Sequence, residues 1–196
     1  MSELAAKRAL RRDVLAARAR LTTEDVAKAA DALGEHALEL PELAEAASVA
    51  AYVSIGAEPG TGPLLRALSA RGTRVLLPVL LPDNDLDWCA YEGHDALVRA
   101  GRGLWEPSGT REGRDAVTRV DAVLLPGLAV DGRGLRLGRG GGSYDRALAR
   151  IALSGASPAR VVLLYDGEIV PRVPDEEHDW AVDAAITPHG VRRFGG

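Results

Sequence analysis

The chain has one cysteine (Cys89), few aromatics and no long apolar run. A single thiol excludes an internal disulfide framework and a cysteine-built zinc cluster. With no stretch near the ~18 apolar residues of a membrane span, and an arginine-rich start instead of a secretory leader, a membrane role is not expected. Excess positive charge is also missing. The formal net charge of −4 provides no field for non-specific nucleic-acid binding. Four histidines (His36, His94, His178, His189) show no metal-ligand spacing, and no Ser/His/Asp set is readable. These absences predict a soluble cytoplasmic protein with neither nucleic acid nor membrane as partner. At 196 residues, one domain spanning 1–196 is expected, long enough to bury a sizeable core.

What is abundant is glycine and arginine, and they concentrate in one place. Residues 135–146 (Leu-Arg-Leu-Gly-Arg-Gly-Gly-Gly-Ser-Tyr-Asp-Arg) hold four glycines, three arginines and one carboxylate. Glycines let the backbone approach a ligand closely. Successive N–H groups at a helix start suit an anion. The stretch lacks the Gly-Lys-Ser/Thr of a Walker A loop. It also fails the Rossmann spacing, since Ser143 stands where the third glycine would be. A flexible surface loop is the plain alternative, but Arg136, Arg139 and Arg146 favour phosphate. Asp145 reads either as a metal ligand or as a helix cap.

Around this loop the pattern alternates. Helical segments are predicted at 3–20, from Thr22 to about Leu40, at 62–71 and at 143–153. Apolar strands are predicted at 48–53, 74–79, 121–125, 160–165 and 183–187, with an antiparallel excursion at 86–91. Continuous apolar strands separated by helices argue for a mainly parallel sheet covered on both faces, an α/β class. Ligands of such sheets gather at the carboxyl ends of the strands. Those ends carry Glu58, the loop after Leu125, and the acidic run Asp175, Glu176, Glu177, Asp179. Asp131 is a further carboxylate near the glycine loop. Lys7, Arg11 and Arg18 fall near one face of the first helix. That stripe is either a solvated face or a clamp for an anion. Trp105 is expected in a loop, either stacking on a planar ligand or filling a small core.

In order and spacing these residues resemble the 5-formyltetrahydrofolate cyclo-ligase family over nearly the whole chain. The likeness runs from Lys7-x-x-Leu10-Arg11 through Glu58-x-x-Thr61 and Gly103-x-Trp105-Glu106-Pro107. It is strongest at Leu125-Pro126-Gly127 and Arg136-Leu137-Gly138-x-Gly140-x-Gly142-x-Tyr144-Asp145-Arg146. The resemblance implies a three-layer α/β/α fold, shared with sugar-phosphate isomerases and CoA transferases. It implies ATP- and Mg²⁺-dependent conversion of 5-formyltetrahydrofolate to 5,10-methenyltetrahydrofolate with release of ADP and phosphate, by a monomer. ATP would be lined by Lys7, Arg8, Ala9, Leu10, Arg11, Arg136, Leu137, Gly138, Arg139, Gly140, Gly141, Gly142, Ser143 and Tyr144. Asp145 and Asp179 would hold Mg²⁺. Val53, Glu58 and Trp105 would meet the folate, with Arg139 to Ser143 touching both ligands. Arg139 and Lys7 would act electrostatically in catalysis. A nucleotide- or folate-binding regulatory protein of the same fold is the alternative. One departure stands out: Ser143 occupies a position where many relatives carry an aromatic.

Overall fold

A computed structural model describes residues 2–174 and 179–195. Residues 175–178, most of the acidic run and His178, lie outside the described part. In chain order the elements are α1 (Glu3–Arg18), α2 (Thr23–Ala37), α3 (Pro41–Ala44), β1 (Ser48–Ala50), α4 (Gly62–Ala70), β2 (Arg74–Leu80), β3 (Leu86–Ala90), β4 (Leu97–Arg99), β5 (Trp105–Pro107), β6 (Ala122–Pro126), β7 (Ala129–Val130), β8 (Arg136–Leu137), α5 (Ser143–Ser154), β9 (Ala159–Leu163), β10 (Ala184–Thr187) and β11 (Gly190–Arg193).

One seven-stranded sheet runs in the order β11, β10, β9, β6, β1, β2, β3. Its interior pairs are parallel. Both edges, β3 against β2 and β11 against β10, are antiparallel. Alternation along each strand builds two cores. Ala122 and Leu124, with Val161 and Leu163, pack towards Leu33, Leu64 and Leu68 of α2 and α4. Val123, Leu125 and Val162 pack the other way, towards Ala147, Leu148 and Ile151 of α5. The strands are buried on both faces, which is why their sequences read as continuous apolar runs. The result is the predicted three-layer α/β/α arrangement. No helix among the described residues is long and apolar enough to cross a membrane.

The expected first strand, 48–53, is cut short at Ala50. Beyond it, side chains replace the ladder. Thr61 Oγ1 accepts from Ser54 N at 2.9 Å, and Glu58 Oε2 accepts from Ile55 N at 2.9 Å. Gly60 lets this loop press on α2, since a Cβ there would lie 2.6 Å from Ala30 Cβ.

Chain direction changes at β1. From it the path runs to β2 and β3 on one side, then returns to β6 on the other. The loops after β1 and β6 therefore diverge at the carboxyl edge and leave a crevice, the topological switch point where ligands bind in open α/β sheets.

Candidate active site

β6 ends at Pro126 and the chain doubles back through the β7–β8 ribbon. Buried Asp131 locks that ribbon by accepting from the backbone N–H groups of Arg133 and Val173 and from the Arg133 guanidinium. Burial opposes its ionisation, yet these donors hold its carboxyl below the ordinary range. Asp131 is therefore a structural carboxylate whose oxygens are already engaged by protein donors.

β8 then presents Arg136 beneath the glycine loop. The Arg136 side chain is 6% exposed. Nη1 donates to Pro126 O at 2.9 Å and Nη2 to Asp145 Oδ1 at 3.2 Å, while buried Nε meets no acceptor among the described residues. Loss of water lowers the pKa of this guanidinium, against the pull of Asp145, Tyr144 and Asp179. Gly138 lies close against the same side chain: a Cβ there would sit 2.8 Å from Arg136 Nη1. Gly140 and Gly142 adopt φ of 91° and 74°, open only to glycine at little cost. The loop opens α5, whose first turn carries no side-chain cap. Its leading N–H groups and the helix dipole face the loop, an arrangement that favours an anion.

α1 lies across this edge with its basic stripe inward. Lys7, Val14 and Arg18 are its buried residues, while Leu4 and Leu15 are exposed. Of the two readings of the stripe, the solvated face fails. Lys7 Nζ pairs with Asp179 at 2.8 Å, and Arg11 Nε donates to Gly138 O at 2.9 Å. Arg18 grips Glu168 with Nε and Nη2 at 2.7 and 2.8 Å and donates from Nη2 to Gly127 O at 2.8 Å. Burial opposes the Arg18 charge, but Glu168 outweighs it and raises the pKa. The Arg18 guanidinium lies 5.6 Å from the Tyr165 ring, and the Tyr165 hydroxyl reaches the carbonyls of Ala57 and Glu58. Arg18, Tyr165 and Glu168 thus join α1 to the loop that carries Glu58.

Between loop and sheet lies a cavity of about 340 Å³. Its floor includes Tyr52, Val53, Leu80 and Leu86; Trp105 and Leu104 form a wall; the glycine loop closes it. Trp105 stands in β5, a short strand rather than a loop, with Arg99 stacked 5.0 Å from its ring. Glu58, buried in the cavity lining, meets Arg139 Nη2 at 3.1 Å. Removal from water, and then the Glu58 charge, raises the phenol pKa values of both Tyr52 and Tyr144, so both stay neutral donors.

The expected site residues converge unevenly. Val53, Glu58, Trp105, Arg136, Gly138–Asp145 all line the cavity. Lys7, Arg11 and Asp179 flank the loop. Leu137 is buried in the core with Val14 and Val173, so only its backbone faces the loop. Leu10 packs beside that cluster, Ala9 is half-buried and Arg8 is exposed. No group of three metal-ligating side chains occurs among the described residues. Ser143 opens α5 and lines the cavity, with Trp105, Leu104 and Tyr144 supplying the apolar surface around it. Sequence reasoning missed Tyr52, Leu104, Glu168 and Tyr165. Only Tyr52, two residues beyond a strand end, gave any signal.

A crevice that joins an anion-cradling loop to an apolar pocket with a buried acid marks an α/β enzyme coupling a nucleotide to a planar substrate. Residues 3–188 match the profile of the 5-formyltetrahydrofolate cyclo-ligase family. The chain belongs to that family. A Mycolicibacterium smegmatis protein named 5-formyltetrahydrofolate cyclo-ligase is 40% identical over 146 residues, 72% of this chain and 73% of that one. The Escherichia coli K12 protein of the same name is 33% identical over 175 residues, 87% of this chain and 94% of that one. The structure of Aquifex aeolicus 5,10-methenyltetrahydrofolate synthetase matches at 28% identity with a TM-score of 0.82, covering 97% of this chain and 93% of that chain.

Proposed function

We propose that the crevice performs the family's reaction, the ATP-dependent closure of 5-formyltetrahydrofolate to 5,10-methenyltetrahydrofolate. The observation that carries this reading is the Arg139–Glu58 pair. It joins the phosphate loop to the one buried acid of the planar-ligand pocket. A pterin offers several N–H donors, and Glu58, the buried carboxylate of the lining, would accept from them. Arg139 would then stand where nucleotide and formyl group meet.

A formamide oxygen is a poor leaving group. Its attack on the γ-phosphorus, with departure of ADP, turns it into a phosphate ester. The folate N10 then attacks the formyl carbon, phosphate leaves with the C–O electrons, and N10 gives up its proton as the new ring forms. Such a sequence needs positioning and charge neutralisation more than a protein nucleophile, which suits a site of arginines, a lysine and carboxylates. The glycine loop and the α5 N-terminus would cradle the phosphates, Arg11 would fix the loop, and Lys7 and Arg139 would face the transferring group.

The residues fit a magnesium ion delivered with the nucleotide. Mg²⁺ usually takes one or two carboxylates and fills its octahedron with water and phosphate oxygens. Asp145, 61% exposed beside the loop, and Asp179 would hold it, and it would neutralise phosphate charge. A cytoplasmic monomer is the expected form. The test is purified protein with 5-formyltetrahydrofolate, ATP and Mg²⁺, followed by the near-ultraviolet absorbance of the methenyl product. Growth that requires ATP and stops on chelation is expected. Ligand binding without product would instead indicate a regulatory relative.

A further inference from the structure

Three arginines line the cavity: Arg102, Arg136 and Arg139. Two are committed to carboxylates, Arg136 to Asp145 and Arg139 to Glu58. Arg102 differs. Its one recorded partner is a neutral amide, Asn84 Oδ1, which accepts from Nη1 at 3.0 Å. No carboxylate reaches it among the described residues, so it keeps a full, exposed charge at the cavity rim.

Its backbone is unusual too. Arg102 sits at φ 60°, ψ 21°, between Gly101 and Gly103. Glycine would occupy that left-handed position without strain, whereas a side chain does so at a cost. Left-handed residues other than glycine concentrate where a function keeps them. The support is equally specific. Asn84 is itself left-handed, at φ 62°, a conformation that asparagine tolerates. Its carbonyl accepts from Arg146 Nη1 at 3.1 Å. The turn between β2 and β3 is thereby tied to α5 on one side and to Arg102 on the other.

The cavity therefore holds two unlike polar groups. Glu58 is a buried acid already paired with Arg139, and Arg102 is an exposed cation with no carboxylate partner among the described residues. A folate has the matching polarity: an N–H-rich pterin at one end and glutamate carboxylates at the other. Resting on the reaction proposed above, we propose that Arg102 is a specificity residue that binds the glutamate carboxylates of the folate tail and so sets which way the substrate enters. ATP phosphates are the competing anions, and the glycine loop with Arg136 and Arg139 already serves them.

The test uses Arg102→Gly and Arg102→Lys in the full chain. Glycine suits φ 60°, so Arg102→Gly keeps the fold, checked by its melting temperature. Calorimetry reads Kd for 5-formyltetrahydrofolate, its triglutamate, 5-formyltetrahydropteroate (which has no glutamate) and ATP. Losing an exposed charge-assisted contact should weaken both glutamylated ligands about tenfold. Arg102→Lys should lose less, and the pteroate and ATP constants should stay within about twofold, below what one lost contact of this kind produces. An unchanged folate constant, an equal loss with the pteroate, or a loss confined to ATP overturns the proposal. Absence of methenyl product from the parent protein would instead overturn the reaction, since the binding contrast is read without turnover.

Discussion

Replacing Arg18 by methionine removes a charge 150 residues from its partner in sequence and tests how α1 is held. The side chains of Arg18 and Glu168 are 4% and 8% exposed. Three bonds are lost, two to Glu168 and one to Gly127 O. Breaking a buried pair from one side costs about 3–5 kcal/mol, because the remaining charge stays buried without compensation. Glu168 keeps one donor, Tyr165 N at 2.9 Å, which argues for the lower end, about 3 kcal/mol. If that cost falls on docking of α1, the docked-to-undocked ratio drops by roughly 150-fold. Lys7 and Arg11 would leave the glycine loop with the helix. Urea denaturation should give the stability loss, exchange of α1 amides should accelerate, and the Kd for ATP should rise. Adding Glu168→Gln removes the stranded charge while keeping an acceptor for Tyr165 N, so the double variant should recover most of the stability. A single variant within about 0.5 kcal/mol of the parent, the usual range for an inconsequential surface change, would refute the reasoning. So would a double variant no better than the single.

Arg139→Ala should lower the turnover rate by about 10²-fold or more, the cost of a lost contact to developing charge; steady-state kinetics reads it, and unchanged turnover removes Arg139 from the chemistry. Gly138→Ala should raise the KM for ATP with little effect on that for folate, because its Cβ would push on Arg136 Nη1 and strain its bond to Pro126 O. Asp131 and Asp85 are held below the ordinary 3.8 despite burial, Asp131 first by Arg133 and Asp85 first by Arg150. Their depressed folded values mean that this stability is complete above about pH 4 and is lost as pH falls through those values. Asp131→Asn should therefore flatten the acid limb of a stability–pH profile; an unaltered limb counts against it.

The long elements were readable, the helices α1, α2 and α5 by their period and the strands β2, β6 and β9 as continuous apolar runs, and all fall within a few residues of expectation. The ribbons β4–β5 and β7–β8 were not, because two or three residues carry no period. Strand β11, Gly-Val-Arg-Arg, was hidden by an exposed edge that permits polar residues. At the site, the glycine loop and the Lys7–Arg11 stripe announced themselves through clustering, and Glu58 through its place beyond the first strand. Arg18–Glu168 did not, since nothing local to either residue tells that the other exists. The mixed face of α1 has a related cause. Val14 and Leu10 pack inward while Leu4 and Leu15 stay exposed, and Lys7 and Arg18 share the inward face because Asp179 and Glu168 meet them there.

The pairing of Lys7 with Asp179, Arg136 with Asp145 and Arg139 with Glu58 has a consequence for encounter. Each of these three cations is neutralised within a few ångströms, so at long range the pairs present little charge; among the described residues Arg11, Arg102 and Arg146 meet carbonyl oxygens instead of carboxylates. Steering of anions from a distance, which decays steeply with ionic strength, should contribute little to nucleotide capture. The association rate should change only modestly with salt. Discrimination begins at contact, where a ligand must exchange several protein ion pairs for its own. A small anion able to displace only one partner gains little by doing so, and the crevice stays electrically quiet towards it.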